Sequence, residues 1–107
     1  MFTSFQVVGA VVSEPELKYS SKGTAICEIH IGAANFAWKD RGMTLATTSI
    51  PITLFGKKAE QMAEEGAPGK PVVMTGHIEG KEWEGRDGNK KLQLQLLVDT
   101  LYFPTEL

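Results

Sequence analysis

The sequence has almost no cysteine: Cys27 stands alone among 107 residues. An intrachain disulfide is therefore impossible, and a thiolate cluster for zinc with it. Histidine is nearly as scarce, and with only His30 and His77 a structural metal site is not expected. Long apolar runs are missing too; none approaches the roughly 20 residues needed to cross a bilayer. The opening Met-Phe-Thr-Ser-Phe-Gln has no basic patch leading into an apolar stretch, which sets aside a secretory signal. No Gly-rich phosphate loop ends in Lys-Ser or Lys-Thr, and no Ser-His-acid set stands out. An enzyme, a cofactor and a membrane partner are accordingly not expected. The composition suits a reduced, cytoplasmic binding module.

An excess of positive charge is also absent. Eleven Lys and Arg stand against thirteen Asp and Glu, a formal charge of −2. A protein gripping nucleic acid by bulk charge would be basic, so the sum counts mildly against that partner. The distribution tells more. Acidic residues gather at Glu60, Glu64 and Glu65, on what reads as a solvated helix face. Basic residues fall at Lys39 and Arg41, at Lys57 and Lys58, and at Lys81, Arg86, Lys90 and Lys91. A fold that brings these to one face would make a local positive groove on a weakly acidic protein.

What is present is enough for one core: 42% hydrophobic and 22% charged residues fit one folded domain over 1–107. Residues 5–12, short and valine-rich, read as a first strand. Residues 13–23, with Pro15 and Lys22-Gly23, read as a loop holding an extended piece at 17–19. Over 24–32 the alternation is clean, with Ala25, Cys27, Ile29 and Ile31 on one face and Thr24, Glu28 and His30 on the other. A loop is predicted over 33–47. The next strand, 48–55, turns Ile50, Ile52 and Leu54 inward and Ser49, Pro51, Thr53 and Phe55 outward. Pro51 has no N–H to give a ladder, which predicts an edge or a bulge there.

The period then changes to a helical one over 57–65, with Ala59, Met62 and Ala63 on one side and Gly66 and Pro68 as the stop. A strand at 72–78 runs into a long hairpin turning at Arg86-Asp87-Gly88-Asn89, where Asp-Gly is a strong turn signal. The return strand, 90–98, is expected to point Leu92, Leu94, Leu96 and Val98 inward. The order β-β-β-α-β-β defines an all-β chain, a five-stranded Greek-key barrel of the OB type with one short helix between the third and fourth strands. A small SH3-like barrel is the rival, and it places a helix there less naturally. OB barrels bind oligonucleotides across their second and third strands, flanked by two of their loops.

Three aromatics fall on those elements. Phe55 is on the outer face of its strand, either as a stacking platform for a base or as a barrel-end residue packed on the helix. Trp83 projects in the hairpin, either as a platform or as a cross-strand packing partner. Trp38 lies in the predicted loop, as a ligand contact or as an anchor under the barrel; nearby Phe36 reads as core. Each candidate has basic residues within three positions: Trp38 with Lys39 and Arg41, Phe55 with Lys57, Trp83 with Lys81 and Arg86. Rings offer faces to unstacked bases, worth about 1–3 kcal/mol per base, and cations meet the intervening phosphates. Lys57 and Lys58 at a helix start oppose the helix dipole, so they are either kept for a partner or merely solvated.

Several stretches resemble the bacterial-type single-stranded-DNA-binding protein family. Glu14-Pro-Glu-Leu-Lys-Tyr19 resembles its acidic-Pro-Glu-aliphatic-basic-Tyr loop. Ile52-Thr-Leu-Phe-Gly-Lys57 with Ala59-Glu60 resembles its strand-to-helix junction. Gly76-His77-Ile78 sits where the family has Gly-x-aliphatic, and Lys81-Glu82-Trp83 with the Asp87-Gly88 turn resembles its final hairpin. The similarity runs from about Val7 to Phe103. It implies sequence-tolerant binding of single-stranded DNA in replication, recombination or repair, by a homo-oligomer, with a tetramer favoured over a dimer. It also implies stacking by Phe55, Trp83 and, more loosely aligned, Trp38, with phosphates met by Lys39, Arg41, Lys57, Lys81, Arg86 and Lys90.

Two departures bear on function. Many members carry a tryptophan where this chain has Ser49, and a missing platform should lower affinity or alter the path of the strand. The sequence also stops at Pro104-Thr-Glu-Leu107, where members commonly append a flexible tail ending in an acidic-hydrophobic recruiting peptide. A tailless relative, bacterial or phage-encoded, would coat DNA without that recruitment route. OB proteins of this size also resemble primosomal replication proteins, so an interaction adaptor with weak DNA binding is the alternative.

Overall fold

The computed structural model describes residues 2–40 and 42–105, apart from the side chains at 35–39, 44 and 45. Six strands and one helix follow in the order β1 (Phe5–Val11), β2 (Glu16–Tyr19), β3 (Ala25–Lys39), β4 (Gly42–Phe55), α1 (Lys57–Glu65), β5 (Pro71–Glu84) and β6 (Lys90–Tyr102). Side-by-side pairing runs β1-β5-β6-β4-β3, and β1 returns to β3 through Ala10 with Gly32 and Val11 with Ile31. Five strands therefore close on themselves in the OB order, with the helix after the third barrel strand. β2 is a short extra strand laid along β3, so the extended piece foreseen near 17–19 is a paired strand one residue longer.

The period of two along each strand fills the interior. Ala25, Cys27, Ile29 and Ile31 of β3 meet Ile52 and Leu54 of β4, Val7 and Val11 of β1, Val72 and Met74 of β5, and Val98 of β6. α1 adds Ala59 and Met62, both fully buried, to the same core. Burial pushes the Cys27 thiol above its ordinary pKa, which leaves it an inert apolar filler.

Two expectations are corrected. Residues 33–47 are not a loop: β3 and β4 stay paired out to Trp38 with Met43 and Lys39 with Gly42. This ribbon projects beyond the barrel and buries no core face along 33 and 34 or 46–48, so its Ala- and Thr-rich sequence has no alternation to read. Leu92 and Leu94 are likewise not core. They are 62% and 63% exposed, because β5 and β6 also run past the barrel as a free hairpin. The inward phase is right, but the interior ends at Leu96.

Pro51 faces His30 across the β3–β4 ladder. His30 spends its own N–H on Ser13 Oγ at 3.2 Å and its carbonyl on Val12 N–H at 2.9 Å. Its backbone thus points toward β1, and that of Pro51 points toward β6. There, among the described residues, β4 and β6 pair in parallel only at Thr53 with Leu97. The proline occupies a locally free edge, as its missing N–H requires.

Near Gly76 the β5–β6 register slips by one residue: Thr75 faces Thr100 while Gly76 faces Val98, which leaves Asp99 as the extra residue of a bulge. A Cβ on Gly76 would stand 2.0 Å from the Leu97 carbonyl oxygen and 2.5 Å from the Phe5 ring. Gly76→Ala is expected to destabilise the fold by about 2–3 kcal/mol through overpacking against backbone. Urea denaturation checks this; an unchanged midpoint would contradict it.

Candidate nucleic-acid interface

The alternation that fills the core also decides what the barrel shows outside. On β4 the outward set is Ser49, Pro51, Thr53 and Phe55, and the Phe55 ring is 44% exposed. It faces Ile26 on β3, which faces Lys18 on β2, so a lysine, an isoleucine and a phenylalanine form one row across three strands. Gly56 follows with φ +66, a left-handed turn that glycine adopts freely, and its N–H donates to the Ala25 carbonyl at 2.9 Å. The chain passes directly from strand to helix, which leaves Phe55 outside and sets exposed Lys57 at the first helical position beside it.

The second ring is on the β5–β6 hairpin. Trp83 is 43% exposed and pairs across the ladder with Lys91; Lys81 pairs with Gln93, and Glu79 with Gln95. Trp83, Lys81 and Gln93 line one shallow depression. Asp87 shapes the turn beyond it, its carboxylate accepting from the Asn89 N–H at 3.1 Å and from Asn89 Nδ2 at 3.2 Å. Those bonds hold its pKa below the usual carboxylate value. Gly88 takes φ +81 in the same turn, and Arg86 and Lys90 flank it in solvent.

A cleft opens on the same outer face, short of both rings. Where β4 and β6 separate on either side of their single pair, Glu28, His30, Pro51 and Thr53 form one wall and Gln93 and Gln95 the other, around about 130 Å³. Thr53 precedes Phe55 on the outer face of β4, and Gln93 faces Lys81, two residues before Trp83. Phe55 and Trp83 therefore lie on one continuous outer surface. The structure brings Phe55, Lys57, Lys81 and Trp83 to it, with Arg86 and Lys90 at the hairpin tip. Arg41 and the side chains of Trp38 and Lys39 lie outside the described residues.

Lys18 and Lys91 also belong to this surface, and neither is among the sequence candidates. Lys18 sits two strands from Phe55 in the short extended piece at 17–19, and no sequence neighbour links them. Lys91 had a readable signal, since counting back from the Asp87-Gly88 turn pairs it with Trp83. At Ser49, beside Gly32, β4 shows no third ring, so its outer face carries aromatic surface only at Phe55.

An isoleucine-to-phenylalanine row, exposed rings beside cations and an open cleft on an OB barrel define a class: a barrel built to hold an unpaired polyanionic strand. The comparisons agree in kind. The model of the Single-strand binding protein family matches residues 2–104. Single-stranded DNA-binding protein B of Bacillus subtilis is 28% identical over 103 residues, which cover 96% of this chain and 90% of that one. Single-stranded DNA-binding protein 2 of Clostridium acetobutylicum is 30% identical, covering 91% and 72%. A similar protein of Paenarthrobacter aurescens is 27% identical, and the chain spans 60% of its length. Among solved structures, a deletion mutant of the single-stranded DNA binding protein from Thermus aquaticus superposes with a TM-score of 0.82 at 20% identity. That likeness shows the fold, over 99% of this chain and 51% of the other. The chain belongs to the single-strand binding protein family.

Farther along β5, His77 lies between two carboxylates. Its Nδ1 is 3.0 Å from Asp99, the bulge residue, and its Nε2 is 3.1 Å from Glu79. The Asp99 bond first, then the Glu79 bond, raise the imidazole above its ordinary pKa of 6.5. A raised folded-state pKa contributes stability that is complete below 6.5 and lost as pH climbs past the raised value. His77→Gln should therefore lower Tm more near pH 6 than near pH 8.5, as thermal melts at matched ionic strength would show. Equal losses at both pH values would contradict the ion-paired imidazolium.

Proposed function

We propose that this protein coats single-stranded DNA with little sequence preference, without catalysis, in replication, recombination or repair. One observation carries the reading: two half-exposed rings, Phe55 and Trp83, lie on the outer face of the barrel and its hairpin, with an open cleft lined by Thr53 and Gln93 on the same face. Bases stack on the rings, and phosphates meet Lys57, Lys81, Arg86 and Lys90, together with Lys18 and Lys91. Trp38, Lys39 and Arg41 complete the assignment from the sequence. The family consists of DNA-binding proteins, and the names of its Bacillus and Clostridium members state single-stranded DNA as their ligand. An adaptor with weak DNA binding is not favoured, since it gives these rings and cations no common purpose. Among the described residues no helix is long and apolar enough to cross a membrane. The reading puts the protein in a bacterial cytoplasm, on chromosomal or phage DNA.

The reading includes assembly as a homo-oligomer, with a tetramer expected and a dimer as the alternative. Two features support it. Among the described residues β1 meets β3 only through Ala10 and Val11, so residues 5–8 keep a free edge. At the far end of the β5 outer face from Trp83, exposed Val8 pairs with Val73 and Val73 with exposed Tyr102, an apolar row across three strands.

Phe55→Ala and Trp83→Ala should each weaken binding of a labelled oligothymidine by about 1–3 kcal/mol while the melting temperature holds, because both side chains face solvent. Fluorescence anisotropy measures the affinity, and sedimentation velocity on the same samples should show more than one copy. A folded double variant with wild-type affinity would remove the stacking assignment.

A further inference from the structure

The surface between the two rings is not basic. Lysines stand at its rim, but the cleft itself is lined by Glu28 and His30 facing Gln93 and Gln95. Glu28 pairs directly with Thr53 and so lies diagonal to Phe55 on the β3–β4 ladder. That spacing is about 7–8 Å between positions, within reach of a long side chain. Glu28 also lies directly opposite Glu16 on β2, and like charges so placed cost stability. Among the described residues neither carboxylate forms an ion pair. A local rule is thus broken one row from a stacking ring, where a departure points to function.

A phosphate over this spot would meet two carboxylates, with Lys18 beside them as the one cation, whereas the edge of a base stacked on Phe55 would meet an acceptor. Resting on the single-strand reading above, we infer that Glu28 contacts that base edge and favours cytosine over thymine. The exocyclic amine of cytosine donates to a carboxylate, while thymine presents the O4 lone pairs at the corresponding position. The protein then coats all sequences, with a bias set at one position.

The test titrates the full chain with labelled oligodeoxycytidine and oligothymidine of equal length at one salt concentration. The readout is the change in the ratio of the two affinities from wild type to variant, in which the intrinsic difference between the homopolymers cancels. Glu28→Ala and Glu28→Gln should each shift that ratio toward thymidine by roughly fivefold, the low end for a single base contact. Glu16→Ala relieves the same repulsion from one strand farther away and should leave the ratio where it is. Equal changes on both oligonucleotides would overturn the inference, since Glu28 would then act only on the phosphate backbone. So would a Glu16→Ala shift as large as that of Glu28→Ala. A wild-type protein that binds neither oligonucleotide would overturn the single-strand reading and the base contact together, whereas binding with an unmoved ratio overturns the base contact alone.

Discussion

Closure of the barrel between β4 and β6 rests on one parallel pair, Thr53 with Leu97. A parallel contact this short cannot hold two long strands together, so they diverge on either side of it. Divergence opens the cleft, and it frees the outer parts of β3–β4 and β5–β6 to run on as ribbons. Pro51, with no N–H to offer β6, sits in the opened stretch at no cost to pairing. Phe55 and Trp83 face solvent because each is just outside the region where strands can bury an outward side chain against a neighbour. The packing of the interior fixes their phase, since Ile52 and Leu54 turned inward leave Thr53 and Phe55 turned outward.

Legibility in the sequence followed burial. Where a strand has one face in the core, as over Ala25 to Ile31 or Ile50 to Leu54, the alternation shows both the strand and its inward side. The helix over Lys57–Glu65 was equally plain, bounded by glycines and carrying Ala59 and Met62 at helical spacing. Past the barrel that signal fails in two opposite ways. Along 33, 34 and 46–48 the ribbon carries only alanine and threonine with no buried face, so pairing there leaves no pattern. Leu92 and Leu94 continue the core pattern beyond the point where the core stops, so the pattern overstates burial. Neighbours across strands were the least legible part: Lys18 reaches the Phe55 row only through the β2–β3 and β3–β4 registers.

Net charge gave little guidance because opposite signs are sorted by position. A formal charge of −2 coexists with lysines along the rim of the outer face. Glu28 lines the cleft, and Asp99 and Glu79 pair with His77. Attraction for phosphate is therefore local and screened within about 10 Å at 0.1 M salt, and stacking must supply the part of the affinity that salt does not remove.

That division is open to direct measurement. Tryptophan emission from a Trp38→Phe variant, which leaves Trp83 as the sole reporter, can be followed during titration with poly-thymidine at low and at moderate salt. The account predicts quenching that saturates at a fixed number of nucleotides per protein and persists at moderate salt. Binding without quenching, or quenching that disappears with added salt, would contradict stacking on the hairpin ring as the basis of the grip.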